Sequence, residues 1–132
     1  MFQVTVEDEF AAGHALRGYQ GKCENPHGHN YKVRVTLEGS ALNSTGLLYD
    51  FVDLKDAIHS AISKLDHQYM NNVAPFDVLN PSAENLAKYV YEQVSNLLAN
   101  GGSRMTPGDS CRLKRVTVWE TGSTTATYFE EG

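Results

Sequence analysis

Three of the five histidines in this 132-residue chain stand where they could grip a metal ion. His27 and His29 flank Gly28. In an extended chain, residues two apart point to the same side, so both imidazoles reach one cation. The glycine between them lets a neighbouring backbone or a ligand approach closely. His14 stands at the end of the loop of the first predicted strand, and antiparallel pairing of the first two strands brings it beside the other two. Three neutral imidazoles with a fourth position open are the donor set of a catalytic zinc ion. A His-x-His pair by itself is as readily an accident of surface chemistry, so the metal reading rests on His14 joining it.

Cys23 stands four residues before His27. It carries three readings that spacing leaves open: a thiolate base or nucleophile activated by a nearby metal, a fourth ligand that closes the site, or a small apolar residue. Cys111 has no histidine near it in sequence and reads as core packing. Asp66-His67 lies at the C-terminal end of a predicted helix. A carboxylate beside an imidazole fixes its tautomer and raises its basicity, which suits a proton shuttle. The other reading is a polar helix end where histidine meets the helix dipole favourably. His59 falls on the polar side of the same helix and reads as solvated. Glu120 follows Val116-Thr117-Val118-Trp119, and alternation puts it on the face of the two valines. Buried charge is costly unless paired. Glu120 therefore reads either as a partner for a cationic or guanidine-like ligand edge or as a strand fraying into solvent.

The elements that must position these groups are legible from periodicity. Phe2, Val4 and Val6 alternate with polar residues as a strand with one buried face, and a Gly- and charge-rich loop runs from about Gly13 to Pro26. Tyr31, Val33, Val35 and Leu37 form the clearest period-two run. Leu54, Ala57, Ile58, Ala61, Ile62 and Leu65 fall at helical spacing, with Asp53 as the N-cap and an end near Asp66. Residues 68–80, with Pro75 and several asparagines, read as loop. Asn80-Pro81-Ser82 opens a second helix, whose stripe is Leu86, Val90, Val94, Leu97 and Leu98 and whose stop is Gly101-Gly102. A third strand carries Val116 and Val118, and a fourth runs from Ala126 to Phe129. The order ββααββ predicts an α+β fold with a four-stranded antiparallel sheet. Four strands are too few to close a barrel alone, and the two open edges predict association between copies.

Length predicts one domain over residues 1–132. Eleven Lys and Arg against sixteen Asp and Glu give a net charge of −5, which argues against non-specific nucleic-acid binding. No apolar run approaches the ~20 residues of a membrane helix, and the N-terminus lacks the basic and apolar regions of a secretory signal. A soluble, reduced, cytoplasmic protein is expected. No Gly-x-Gly-x-x-Gly, Walker sequence, Gly-x-Ser-x-Gly elbow or His-Glu-x-x-His helix is present, so nucleotide, serine-hydrolase and zinc-hydrolase readings lack support.

Five segments in order carry a resemblance across essentially the whole chain. They are Phe10-Ala11-Ala12-Gly13-His14, residues 23–31 (Cys-Glu-Asn-Pro-His-Gly-His-Asn-Tyr), Leu65-Asp66-His67, residues 80–87 (Asn-Pro-Ser-Ala-Glu-Asn-Leu-Ala), and Val118-Trp119-Glu120-Thr121. They resemble the 6-pyruvoyl-tetrahydropterin synthase / 6-carboxy-tetrahydropterin synthase family. Gly13 stands where Ala or Ser is frequent in that family, and Ser82 where Thr is usual; neither removes a functional group. The resemblance implies the tunnelling fold, with sheets of three subunits joined into a barrel and two trimers stacked as a homohexamer. It implies Zn²⁺ on His14, His27 and His29, Cys23 as catalytic base, and Asp66 with His67 as the acid/base pair. It further implies Glu120 as anchor of the pterin's guanidine-like edge and Glu84 as a second pterin-side position. The implied substrate is 7,8-dihydroneopterin triphosphate, with Lys22 and Arg17 as weak candidates for its triphosphate. Cys23, followed by three residues and then the His-Gly-His run, resembles the short-spaced synthases that form 6-carboxy-tetrahydropterin and release acetaldehyde for deazapurine synthesis. The alternatives are a 6-pyruvoyl product, a 6-hydroxymethyl product favoured by a loop glutamate such as Glu24, and a non-catalytic zinc-stabilised pterin-binding oligomer.

Overall fold

A computed structural model describes residues 1–19, 21, 25–99, 108 and 110–131. Strand β1 spans Phe2–His14 and pairs antiparallel with β2, His27–Gly39. Helices α1, Phe51–Ile62, and α2, Ala83–Ala99, follow, and then strands β3, Arg112–Trp119, and β4, Thr125–Tyr128. The sheet has the order β1-β2-β3-β4, entirely antiparallel, so ββααββ and the four-stranded sheet stand as expected.

Alternation dictates which face is buried. Val6, Phe10 and Ala12 of β1, Tyr31, Val33, Val35 and Leu37 of β2, and Val116 and Val118 of β3 lie on one face. Leu54, Ile58, Ala61 and Ile62 of α1 pack with Leu86, Val90 and Val94 of α2 into the same core. The other face is polar: Glu7 Oε2 accepts from Arg34 Nε at 2.6 Å, and the Arg34 guanidinium lies 4.7 Å from the Trp119 ring centre.

Several expected boundaries move. Both first strands are longer than their alternation suggested, because backbone pairing runs from Phe2↔Gly39 to His14↔His27 without interruption. His14 is therefore the last residue of β1 and not part of a loop. The α1 cap is Asp50, whose carboxylate accepts from Val52 N at 2.7 Å and Asp53 N at 3.4 Å. Asp53 lies buried inside the first turn. The helix ends at Ile62, and Asp66-His67 follows it in a turn. Ser82 does cap α2, accepting from Asn85 N at 3.2 Å. Leu97 is largely exposed and leaves the apolar stripe. The loop at 68–80 contributes Met70 and Phe76 to the core, both fully buried. Cys111 is half-buried against the core, and burial raises its thiol pKa. His59 is solvated. The expected glycine stop of α2 at residues 101–102 lies outside the described residues.

The capping assignment has a measurable consequence. Asp50→Ala is expected to cost about 1 kcal/mol of stability, because two backbone N–H groups lose their acceptor. Urea denaturation of that variant against the parent checks it; an unchanged midpoint would contradict the cap.

Candidate metal and catalytic site

The pairing of β1 with β2 ends at His14↔His27, and Ala12↔His29 lies two rungs earlier. Residues 14, 27 and 29 thus share the core-facing side of the sheet at one end. Glu120 follows β3 on the same face as Val116 and Val118. The topology therefore delivers three imidazoles and one carboxylate to one point. One ligand atom from each of His14, His27, His29 and Glu120 lies within 4.8 Å of the others. His14 is fully buried, whereas the other three are partly open.

Hydrogen bonds set the state of the rings. Pro81 O, which can only accept, lies 2.7 Å from His14 Nδ1, so that nitrogen carries the proton. Asn25 O stands 2.8 Å from His27 Nδ1 in the same role. In the neutral rings each Nε2 is then the lone-pair nitrogen, and the two face each other across 3.0 Å. Glu120 Oε1 stands 3.0 Å from His14 Nε2 and 3.7 Å from His29 Nε2. Ligand atoms around one tetrahedral zinc at ~2.0–2.1 Å lie about 3.3 Å apart. Lone pairs aimed at one another at such distances repel unless a cation stands between them. Carbonyls on the distal nitrogens are also the usual outer shell of metal-bound histidine. Burial holds the His14 imidazole below its ordinary pKa; Pro81 O and Glu120 oppose this, and His27 and His29 reinforce it. A neutral ring is what metal ligation needs. The donor set fits a metal ion.

Asp66 and His67 are also brought to this end of the sheet, by a different route. The segment after α1 docks on the free edge of β1: His67 N donates to Ala11 O at 2.6 Å, and Gly13 N donates to Gln68 O at 3.0 Å. Asp66 Oδ1 accepts from Ala11 N at 3.0 Å and stands 3.0 Å from His67 Nδ1. His67 has φ 59°, a left-handed conformation uncommon outside glycine. Its ring is 81% exposed, and its ion-pair partner among the described residues is Asp66. A groove of about 400 Å³ is lined by Gly13, Gly28, Asn30 and Gln68 together with His67 and His29. His67, expected as part of the acid/base pair, and His29, expected as a metal ligand, therefore border one space. On the other side of the cluster, Glu120 shares a depression of about 330 Å³ with Glu84, Thr124, Thr125 and Thr127.

The Ala11 amide, and secondly His67, hold the Asp66 carboxyl below its ordinary pKa. A carboxylate with a lowered folded-state pKa stabilises the fold above its unfolded value, and that contribution disappears as the pH falls through the folded value. Asp66→Asn is therefore expected to converge in melting temperature with the parent only below about pH 4, the ordinary aspartate range. Thermal melts of both proteins from neutral to strongly acidic pH check the sign.

Cys23 and Glu24, like Lys22, lie outside the described residues. Arg17 is described: its guanidinium donates to Phe76 O at 2.7 Å and Asn71 O at 3.3 Å, and the residue is exposed. Sequence reasoning missed Tyr31, whose hydroxyl stands 3.0 Å from His14 Nδ1. The signal was a tyrosine in a row of Val and Leu, since a buried phenol needs a partner. It also missed Asn71, whose side chain clasps Ala15 N and O at 2.9 Å each, immediately after His14.

The profile described as 6-pyruvoyl tetrahydropterin synthase matches residues 3–131. The 6-pyruvoyl tetrahydrobiopterin synthase of Homo sapiens is 35% identical over 113 residues, 82% of this chain and 70% of that protein. The dihydroneopterin monophosphate aldolase of Pyrococcus furiosus is 32% identical over 89% of each chain. The 6-carboxy-5,6,7,8-tetrahydropterin synthase of Haemophilus influenzae is 26% identical over 98% of this chain and 100% of its own. The solved structure of Caenorhabditis elegans 6-pyruvoyl tetrahydropterin synthase superimposes with a TM-score of 0.80 at 29% identity, covering 99% of this chain and 98% of that one.

Proposed function

The chain belongs to the 6-pyruvoyl tetrahydropterin synthase family, and on that premise we propose that it is a zinc-dependent synthase acting on 7,8-dihydroneopterin triphosphate. The product proposed is 6-carboxy-5,6,7,8-tetrahydropterin, with acetaldehyde and triphosphate released. The observation that carries the metal-dependent reading is the convergence of three imidazoles, of which His14 and His27 have their distal nitrogens on carbonyls. The carboxy product is favoured by the short Cys23-to-His27 spacing and by the full-length similarity to the Haemophilus influenzae synthase.

His14, His27 and His29 hold the ion in this reading. Zinc when bound acts as a Lewis acid toward the substrate's side-chain hydroxyls. Cys23 removes a proton from a side-chain carbon, and His67, oriented by Asp66, returns one. Glu84 and Glu120 accept hydrogen bonds from the guanidine-like edge of the pterin. The exposed ring of His67 and the open grooves agree with a site that neighbouring subunits complete, and a homohexamer of two trimers is proposed. The similarity to the human enzyme favours the 6-pyruvoyl product as the second reading.

Product analysis decides between them. Zinc-loaded, reduced protein is incubated without oxygen with 7,8-dihydroneopterin triphosphate, and the mixture is separated and weighed by mass spectrometry. 6-Carboxy-tetrahydropterin with acetaldehyde is expected. A 6-pyruvoyl or 6-hydroxymethyl product would keep the family and replace the reaction, the latter pointing next to Glu24. No turnover by metal-loaded protein would favour a non-catalytic pterin-binding oligomer.

A further inference from the structure

We propose that Glu120 has two alternative partners: it is the fourth ligand of the metal when the site is at rest, and it leaves the metal when a ligand with a guanidine-like edge enters the adjoining depression. The inference rests on the metal-dependent pterin reading above and adds a second role to a residue that reading uses only for substrate.

The ligand half comes from the geometry. Glu120 Oε1 stands 3.0 Å from His14 Nε2 and 3.7 Å from His29 Nε2, while His27 Nε2 stands 3.0 Å from the same His14 atom. One ligand atom from each of the four residues lies within 4.8 Å of the others, so three nitrogens and one oxygen can close a tetrahedral set around one cation. The carboxylate also supplies a negative charge that three neutral imidazoles lack.

The exchange half comes from where Glu120 sits. It is 27% exposed on the side chain, unlike His14 at 0%, and it lines the depression that also contains Glu84 and threonine hydroxyls. Two carboxylates and hydroxyls on one wall suit a planar edge rich in N–H donors. Glu120 follows the end of β3, where its backbone is held by one bond from its N–H to Thr124 O at 3.2 Å. A side chain at a strand end can turn from ligand to pocket without moving the sheet. Entry of the ligand then opens a coordination position only when substrate is present, which keeps the site closed to water at rest.

The test is cobalt spectroscopy on the full chain. Metal-free protein is titrated with Co²⁺, and the parent, Glu120→Gln and Glu84→Gln are compared. Glu120→Gln is expected to weaken Co²⁺ binding at least about tenfold, the lower end of what even outer-shell losses cost, and to change the visible band envelope; Glu84→Gln should do neither. Addition of 6-methylpterin, which has the guanidine-like edge but no side-chain hydroxyls, is expected to move the parent envelope toward that of Glu120→Gln. Unchanged Co²⁺ affinity and spectrum in Glu120→Gln would overturn the ligand role, as would a thiolate charge-transfer band, which would make Cys23 the fourth ligand. Binding of 6-methylpterin, read by fluorescence, with no movement of the bands would overturn the exchange. Failure of 6-methylpterin to bind would remove the exchange together with the pterin reading, while the ligand role is still decided by the variants.

Discussion

Replacing His29 by alanine is expected to abolish metal binding while leaving the fold of the metal-free protein intact. The position suits the test better than His14, because the His29 side chain is 22% exposed, against 0% for His14, and stands near the start of β2. His14→Ala would instead empty a fully buried site and remove the partner of Pro81 O and Tyr31. Loss of one of three imidazoles should weaken binding by more than about 100-fold, beyond the range of outer-shell losses. Elemental analysis after dialysis reads the loss directly. Melting adds an independent check, because a metal that binds only the folded state raises the melting temperature with its concentration. The parent should show that rise and His29→Ala should not. Unchanged metal content in the variant would sink the ligand assignment and with it the proposed zinc chemistry.

The second large effect is expected at Cys23. Cys23→Ala should retain its metal and lose turnover by about 10²- to 10⁴-fold, the usual contribution of a general base. The split between the two readouts separates the three readings of this residue. A base leaves metal affinity unchanged and removes turnover. A structural ligand loses both. A small apolar residue loses neither, and full activity in the variant would end the assignment. His67→Ala makes a companion measurement, since the same reading places its ring opposite the base as proton donor. Its exposed ring makes few contacts beyond Asp66, so a loss of turnover there would not be explained by unfolding.

The family's tunnelling fold brings these groups together through two separate devices. The first is the strand register, which sets His14 opposite His27 and carries Glu120 to the same face. The second is the docking of the segment after α1 onto the edge of β1, which fixes Asp66 by a backbone amide. A defect in either device should show in different measurements. Under the proposed roles, register defects are expected to alter metal affinity, and docking defects to alter turnover with the metal retained.

By itself the sequence determined the strand and helix order, the buried faces and the metal-ligand histidines as candidates. Those features are written in local periods. Alternation in Val33, Val35 and Leu37 or helical spacing in Leu54, Ile58 and Ile62 reflects one face meeting the core, and His-Gly-His inherits its geometry from the strand that carries it. The tertiary structure decided what depends on contacts distant in sequence. Asp50, not Asp53, caps α1: both are aspartates, and only the backbone angles at the helix start decide which one accepts from the first-turn N–H groups. Arg17 binds the carbonyls of Asn71, Phe76 and Leu79, a pairing across more than fifty residues. The proton positions on His14 and His27 follow from two carbonyls, Pro81 and Asn25, and every residue has a carbonyl, so no residue type announces them. The approach of Glu120 to the histidines required the pairing of β2 with β3, since alternation along one strand gives a face and never a neighbour.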